Sequence, residues 1–192
     1  LRDPGINAYI RSKIAAEQAL WDFVASSGSG MRVNTIHPGA ILGPPLSSEG
    51  EGTSISTLRD MIKGSTPGIP PISVPMVDVR DAAQAHVAAM ESDFTGQRYV
   101  VCQSDPVSYI EVAKVLKAAG YSKVPGRELP KALIKGLAPF SRDIRAMKAF
   151  LDKSVSADIS QTAQDLEWSP RPIRDTVLDS AYALSKTLKT VN

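Results

Sequence analysis

Apolar and polar positions along the chain predict an alternation of helices and short strands, and the first of these form one unit. Residues 8–27 combine Ala, Leu, Gln, Glu and Lys with no interior Gly or Pro, which predicts a helix. Gly28-Ser29-Gly30 ends this helix. The β-forming residues of segment 31–37 then predict a strand that stops at Pro38-Gly39. A helix, a tight turn and a strand in this order are half of an α/β unit.

The rest of the chain predicts short helices separated by proline- and glycine-rich connections. Four prolines keep segment 66–75 irregular, and Asp81 is predicted to cap the Ala-rich helix that follows. Extended segments are expected at 77–79 and 97–103. Loops are expected at 40–45 and 47–53, and helices at 55–63, 82–90, 108–119, 129–151 with a break near Pro139, 160–166 and 173–189.

Composition is that of an ordinary globular protein and excludes several classes of site. Hydrophobic residues make up 43% of the 192 residues, which is enough for one core or at most two small ones. A single cysteine, Cys102, excludes an intrachain disulfide framework and a Cys-rich zinc site, and we expect no metal. Apolar runs fall short of the roughly 18 residues of a membrane span, and no export signal is visible. We therefore expect a cytoplasmic protein without a membrane partner.

The net charge is +2, but basic and acidic residues are distributed unevenly along the chain. Segment 114–153 holds 10 basic and 3 acidic residues, which raises the question of a nucleic-acid-binding patch. The segment matches no recognisable nucleic-acid-binding module, so we interpret it as solvated helix faces and expect no nucleic-acid partner.

The candidate chemistry begins with Tyr9 and Lys13, which lie four residues apart and therefore share one face of the predicted helix. An ammonium group near a phenol favours the phenolate, and a tyrosine tuned in this way can exchange a proton with a substrate oxygen near neutral pH. The spacing alone is a weak signal, because Tyr182 and Lys186 repeat it in the last helix. Only Tyr9 is followed by a strand and a Pro-Gly turn, so we assign surface packing to Tyr182.

Three further motifs follow the Tyr9–Lys13 motif in order. They are IHPGAILGP at 36–44, MVDVRDAAQAH at 76–86 and LEWSPRPI at 166–173. Together the four motifs closely resemble the extended short-chain dehydrogenase/reductase family. The most similar branch is the dihydroflavonol reductase and aldehyde reductase group of the NAD-dependent epimerase/dehydratase-like proteins. The resemblance covers essentially the whole chain.

The resemblance implies an α/β fold, made of the C-terminal part of a Rossmann-type doubly wound parallel sheet plus a small, mostly helical substrate-binding lobe. Residues 1–46 would belong to the Rossmann-type domain. Residues 47–192 would form mainly the lobe, with segment 76–103 returning to the sheet. Ligands of such sheets bind outside the carboxyl ends of the strands, which agrees with the position of the Pro-Gly turn.

The resemblance also implies a function for individual residues. The family reduces carbonyl compounds with a nicotinamide dinucleotide, here NADP in preference to NAD, and the motif tyrosine transfers the proton at the substrate oxygen. That role falls on Tyr9, and Lys13 would bind the nicotinamide ribose. The Pro-Gly turn lies against the nicotinamide, which adds Pro38, Gly39 and Ile41 to the cofactor-binding residues.

The chain departs from the family pattern at its start. The family's Gly-rich phosphate loop follows a strand, whereas Gly28-Ser29-Gly30 follows a helix, so we interpret it as a helix stop. The family's catalytic Ser or Thr lies well upstream of the tyrosine, and only eight residues precede Tyr9. We therefore expect the C-terminal portion of an enzyme whose missing N-terminal half binds the nucleotide, and which is a monomer or a homodimer.

Three alternatives stay open. A nucleotide-sugar epimerase or dehydratase is the nearest, although Ile69, Ile72 and Val74 in segment 66–75 favour an apolar carbonyl substrate. A non-catalytic dinucleotide-binding protein would have less need of the Tyr9/Lys13 pair. A free-standing protein of 192 residues would carry about half of the nucleotide site.

Other polar residues invite a catalytic interpretation that we do not adopt. His37 ends a predicted strand, and we favour a structural role for it over lining the site. Asp78 and Asp81 are spaced like a carboxylate pair, but a helix cap and a loop hydrogen-bond acceptor explain them better.

Overall fold

The computed structural model describes residues 8–28, 30–46, 52–140, 144, 150–152 and 154–190, and the last four of these by their backbone alone. The helices are α1 (Ala8–Ser27), α2 (Thr53–Lys63), α3 (Val79–Glu91), α4 (Tyr109–Ala118), α5 (Lys131–Leu137), α6 (Ser160–Asp165) and α7 (Ile173–Thr190). The strands are β1 (Thr35–Pro38), β2 (Ala40–Leu42), β3 (Ser73–Val74), β4 (Met76–Asp78), β5 (Arg98–Val101) and β6 (Val107–Ser108).

The strands pair in a mixed arrangement with two parallel ladders. β1 runs parallel to β5 with Thr35 opposite Arg98, and β2 runs parallel to β4 with Leu42 opposite Asp78. β3 and β6 form a short antiparallel pair. Parallel strands joined through helices are the pattern of an α/β protein.

Gly39 is the point at which the strand segment changes its neighbour from β5 to β4. Its N–H donates to the carbonyl of Val101, whereas the next N–H, that of Ala40, donates to the carbonyl of Pro75. A Cβ atom placed on Gly39 would lie 2.5 Å from the Pro75 oxygen and 2.9 Å from the Cys102 Cβ. The crossover therefore accommodates only glycine, because backbone and a buried side chain close the space.

We expect Gly39→Ala to lower the free energy of unfolding by about 1–3 kcal/mol, the usual cost of forcing an extra carbon into a filled space. The matched control is Gly136→Ala in α5, where a Cβ would meet nothing within 4 Å. That change should be neutral or stabilise the protein by up to about 1 kcal/mol, because Ala suits a helix better than Gly. Urea unfolding followed by circular dichroism measures both. Equal effects of the two substitutions would show that the crossover tolerates a side chain.

Strand β4 separates two apolar cores, because successive residues of a strand point to opposite faces. Met76 packs with α2, α4 and α7 through residues such as Leu58, Leu116 and Leu184. Its neighbour Val77 packs on the other side with Ala85 of α3 and Tyr99 of β5. Strand β4 is thus covered on both faces.

A buried ionic cluster fastens the start of α3 to the segment that precedes α7. Asp78 is the residue that caps α3, and its carboxylate accepts from the backbone N–H of Arg80 at 2.9 Å and from the Arg80 guanidinium at 2.9 and 2.8 Å. Asp81 instead accepts three bonds from Arg171, and its backbone carbonyl accepts from the indole N–H of Trp168. The predicted cap at Asp81 is therefore wrong by one helical turn, whereas the interpretation of the two carboxylates as a cap and an acceptor is correct.

Several predicted boundaries change in the structure. Segment 31–34 lies outside the strand, and the expected loop at 40–45 contains β2, because Ala40–Leu42 finds a partner in β4. The helix predicted for 129–151 is present as α5 up to Leu137, and residues 141–143 and 145–149 lie outside the described residues, as does most of segment 47–53. Ile69 is fully buried in the core, and Ile72 and Val74 pack against it.

Candidate functional site

A cavity of about 370 Å³ lies between the N-terminal half of α1 and the strands β1 and β5. Tyr9, Ile10, Lys13, Ile14 and Glu17 line it from the helix. The first, third and fifth of these follow one another at intervals of four residues and so share a helix face. The side chain of Tyr9 is 69% exposed, and the Lys13 ammonium lies 5.6 Å from the centre of its ring. The structure thus gathers the two predicted catalytic residues in one open cavity.

The opposite wall of the cavity comes from the strands. Thr35 and His37 alternate with Ile36 along β1, and Arg98 is the residue of β5 that pairs with Thr35. The Nε2 atom of His37 lies 3.0 Å from the Thr35 hydroxyl and 3.5 Å from a carboxylate oxygen of Glu17. His37 therefore takes part in the structure of the wall and also faces the cavity.

Glu17 connects helix α1 to the strands β1 and β5 by hydrogen bonds. It was not identified as a site residue from the sequence. Arg98 donates to its two carboxylate oxygens, from Nε at 2.6 Å and from Nη2 at 3.2 Å. The indole N–H of Trp21 donates at 3.2 Å and the hydroxyl of Thr35 at 3.4 Å. The Arg98 bonds lower the pKa of Glu17 to about 2 against the opposing effect of burial, with smaller contributions from Trp21 and the charge of His37. Helical spacing from Tyr9 and Lys13 is the signal that could have identified it.

The lowered pKa of Glu17 makes its contribution to stability dependent on pH. Its folded pKa of about 2 lies below the ordinary value of 4.5, so the ionised carboxylate stabilises the fold above pH 4.5. That contribution should fall progressively between pH 4.5 and pH 2. The difference in free energy of unfolding between the wild type and Glu17→Gln, about 1.5–3 kcal/mol at neutral pH, should shrink over that range. A difference that stays constant with pH would contradict this assignment.

Three predicted cofactor-binding residues lie outside the cavity wall. Pro38 ends β1 and is exposed, Gly39 forms the crossover, and Ile41 in β2 is 38% exposed. They continue the chain in the direction of the strand's carboxyl end beyond His37. The structure therefore brings Tyr9 and Lys13 together, and it places Pro38, Gly39 and Ile41 further along the same strand segment.

The second Tyr-x-x-x-Lys pair has a different setting. Lys186 lies 4.5 Å from the ring centre of Tyr182, closer than in the first pair, and Tyr182 is 61% exposed on α7. Tyr182 does not line the cavity at Tyr9. Proximity of ammonium and ring thus does not distinguish the two pairs, whereas the neighbouring strands and the cavity do.

A larger cavity of about 410 Å³ lies between α4 and α7 and holds none of the predicted site residues. Its floor includes Val112, Val115 and Val177, and Glu111 at its edge is engaged in the capping box of α4. We place the candidate site at the smaller cavity because Tyr9, the predicted proton donor, lies there together with the basic side chains of Lys13 and Arg98.

The described part of the chain offers no group of three His, Cys, Asp or Glu side chains that could hold a metal ion. None of the helices described combines the length and apolar character needed to cross a membrane.

Comparison with known proteins identifies the relatives of the chain. No protein family model matches it. Over 189 residues it is 26% identical to a "putative uncharacterized oxidoreductase" of Saccharomyces cerevisiae, covering 95% of this chain and 52% of that protein. It is 31% identical to the "Ketoreductase azaE" of Aspergillus niger, covering 69% of this chain and 42% of that protein. It is also 31% identical to the "Putative NADPH-dependent methylglyoxal reductase GRP2" of Candida albicans, covering 50% and 30%.

Its homologues are oxidoreductases of the extended short-chain dehydrogenase/reductase family. The resemblance predicted from the four motifs is thereby confirmed. The chain spans about half, or less, of the length of these curated relatives.

Solved structures of the extended short-chain dehydrogenase/reductases show the same fold. Yeast methylglyoxal/isovaleraldehyde reductase Gre2 complexed with NADPH is 20% identical with a TM-score of 0.74, and the likeness covers 95% of this chain and 52% of that one. The UDP-glucose-4-epimerase of Stenotrophomonas maltophila with bound NAD is 19% identical with a TM-score of 0.72, covering 97% and 57%. The predicted α/β class with a Rossmann-type sheet is confirmed.

Proposed function

We propose that the protein containing this chain reduces an aldehyde or ketone with a nicotinamide dinucleotide, and that Tyr9 is the general acid. The observation that carries the proposal is the convergence of Tyr9 and Lys13 in an open cavity against the parallel strands β1 and β5. The "NADPH-dependent" relative supports NADP over NAD as the cofactor.

The residues of the cavity fit the nicotinamide end of such a dinucleotide. The Lys13 ammonium offers donors for ribose hydroxyls, and Ile10, Ile14 and Ile36 provide apolar wall beside it. When bound, the reduced dinucleotide supplies the hydride that the carbonyl carbon receives. Pro38, Gly39 and Ile41 would meet the nicotinamide from the strand end.

The proton that completes the reduction comes from Tyr9. Its hydroxyl donates to the carbonyl oxygen as negative charge develops there, and the carbonyl becomes an alcohol. The phenolate left on Tyr9 recovers a proton from solvent, to which the side chain is open.

The described residues do not account for the dinucleotide phosphates. Gly28 and Gly30, both with positive φ, lie between the end of α1 and the start of β1, the reverse of the order that a phosphate loop needs. We propose that a missing N-terminal half supplies this loop and the catalytic Ser or Thr. The assembled enzyme would act in the cytoplasm as a monomer or a homodimer.

We propose the same domain division as the resemblance implies. Residues 1–46 belong to the Rossmann-type domain, and residues 47–192 form mainly the substrate-binding lobe. The pairing of β4 with β2 and of β5 with β1 supports the return of segment 76–103 to the sheet.

A nucleotide-sugar epimerase or dehydratase is the second candidate, supported by the fold shared with UDP-glucose-4-epimerase. The earlier argument from segment 66–75 does not separate the two, because Ile69 is buried in the core and Ile72 and Val74 pack against it. The preference for carbonyl reduction instead rests on the reductases among the relatives.

A substrate panel tests the proposal. The intact protein is incubated with NADPH or NADH and with aliphatic and aromatic aldehydes and ketones, beside a panel of nucleotide sugars. Oxidation of the cofactor with carbonyl compounds is the expected result. Conversion of a nucleotide sugar without net consumption of cofactor would favour the second candidate.

A further inference from the structure

Helix α1 carries the candidate catalytic residues, and within the described part of the chain its side chains are mostly exposed. None of its 20 residues is buried, and every residue from Ala8 to Ala16 is exposed. The partly buried residues are Glu17, Leu20, Trp21 and Val24, which lie from the middle of the helix onward. Among these partly buried residues, Glu17 lies nearest to Tyr9 and Lys13.

The contacts of Glu17 reach three elements at once. Arg98 holds both carboxylate oxygens from β5, the Thr35 hydroxyl donates from β1, and the indole of Trp21 donates from the following turn of α1. Its side chain is only 18% exposed, whereas that of Arg98 is 63% exposed. A carboxylate held by two guanidinium N–H groups has a defined orientation as well as a favourable energy.

The geometry of the helix makes this anchor relevant to the reaction. Tyr9, Lys13 and Glu17 share one face, and Tyr9 lies about 12 Å along the axis from Glu17 at 1.5 Å per residue. A small rotation of the helix about its axis would move the Tyr9 hydroxyl by about an ångström or more, because the ring projects far from that axis. Misplacement by about 1 Å is enough to cost about a hundredfold in rate.

We propose that Glu17 is a positioning residue, which through Arg98, Thr35 and Trp21 sets the rotation of α1 over β1 and β5 and thereby the placement of Tyr9 and Lys13. Glu17 also balances the charge of Arg98. Without Glu17, the cationic side chains of Arg98 and Lys13 would both line the cavity with no carboxylate between them. The test of this inference by reaction rates rests on the proposed carbonyl reduction. The test by hydrogen exchange of the α1 amides rests on the fold alone.

The test compares Glu17→Gln, Arg98→Gln and the double variant in the intact protein. Arg98→Gln leaves the sequence of α1 unchanged and keeps the test valid if Glu17→Gln folds poorly. Rates are measured per folded protein, at a temperature well below each variant's unfolding transition. Asp93→Asn is the control, because it removes a carboxylate from an exposed ion pair with Arg32 that lies outside the cavity.

We expect each single variant to lower kcat by about tenfold or more, with a much smaller change in the KM of the carbonyl substrate. The double variant should be no slower than the slower single variant, because both changes remove the same ion pair between Glu17 and Arg98. Hydrogen exchange of the α1 amides should become faster in all three, and Asp93→Asn should match the wild type.

Two results would overturn the proposal. A kcat per folded molecule equal to that of the wild type would show that Glu17 contributes to stability alone. A double variant whose fold loss in kcat equals the product of the two single losses would show that Glu17 and Arg98 act independently. If the wild type reduces no carbonyl compound, the proposed function fails. Hydrogen exchange then tests the positioning proposal by itself. If the α1 amides of the variants exchange at the wild-type rate, the contacts of Glu17 do not hold the helix in place.

Discussion

Tyr9→Phe should reduce kcat/KM for carbonyl reduction by about 10²–10⁴-fold, the usual contribution of a general acid. The substitution removes the hydroxyl that gives its proton to the carbonyl oxygen and keeps the ring beside Lys13. Because Lys13, the apolar wall and the strand residues are unchanged, the affinity for the dinucleotide should stay close to that of the wild type. Initial rates with varied carbonyl substrate, together with a fluorescence titration of the cofactor, measure the two effects separately.

The chain provides its own control for this experiment. Tyr182→Phe changes the same residue type in the same Tyr-x-x-x-Lys spacing, also at an exposed position with a lysine beside the ring. It should leave kcat/KM unchanged, because Tyr182 lies outside the cavity wall. Full activity of Tyr9→Phe would remove Tyr9 from the mechanism. It would also revive the possibility of a non-catalytic dinucleotide-binding protein if no other residue sustained turnover.

Asp81→Ala should lower the free energy of unfolding by about 2–4 kcal/mol, because it removes the buried acceptor of three hydrogen bonds from the partly exposed Arg171. Its carboxylate is 4% exposed and accepts from the backbone N–H, Nε and Nη2 of Arg171 at 2.8, 2.9 and 2.7 Å. Removal leaves the guanidinium of Arg171 with Asp78 alone, at 3.7 Å. It also loosens the segment that carries the buried Trp168 and leads into α7.

An exposed carboxylate gives the comparison for Asp81. Asp152 pairs with Lys131 and Lys135, and all three side chains are about half exposed. Asp152→Asn should therefore change the urea midpoint very little, because exposed ion pairs contribute little to stability and Asn tolerates the positive φ of this residue. A loss for Asp81→Ala as small as that for Asp152→Asn would mean that the buried cluster does not hold the two segments together.

The cluster should also make stability sensitive to acid. The hydrogen bonds from Arg80 keep the pKa of Asp78 below its ordinary value, although burial of the carboxyl opposes them more strongly than any single bond. A depressed pKa means that the ionised form stabilises the fold and that this contribution is lost as the pH falls through the acidic range.

Helices and turns with a clear sequence pattern were predicted well, because both the pattern and the element depend on residues that are close together in the chain. The helix predicted for 8–27 is α1, and the Pro-Gly signal at 38–39 marks the end of β1. Tyr9 and Lys13 could be placed on one face of a helix from their spacing alone. The order of the four motifs then separated Tyr9 from Tyr182, a distinction that the cavity supports.

Features that depend on distant pairing were not predicted. Ala40–Leu42 has the composition of a loop beside Gly and Pro, and it becomes β2 only because β4 lies alongside. Asp81 does not cap α3 but instead accepts from Arg171, which is 90 residues away in sequence. Glu17 gains its role from Arg98, a residue 81 positions away, which the spacing of residues within α1 cannot show.

The central claim is that a carbonyl group is reduced by hydride from the dinucleotide and a proton from Tyr9, and deuterium labelling tests it most directly. The intact protein is supplied with NADPH carrying deuterium at both hydrogen positions of the nicotinamide C4 and with a carbonyl substrate found in the panel. The predicted result is an alcohol with one deuterium on the former carbonyl carbon, formed in a one-to-one ratio with oxidised cofactor and lost in Tyr9→Phe. An alcohol without deuterium, or undiminished transfer in Tyr9→Phe, would contradict it.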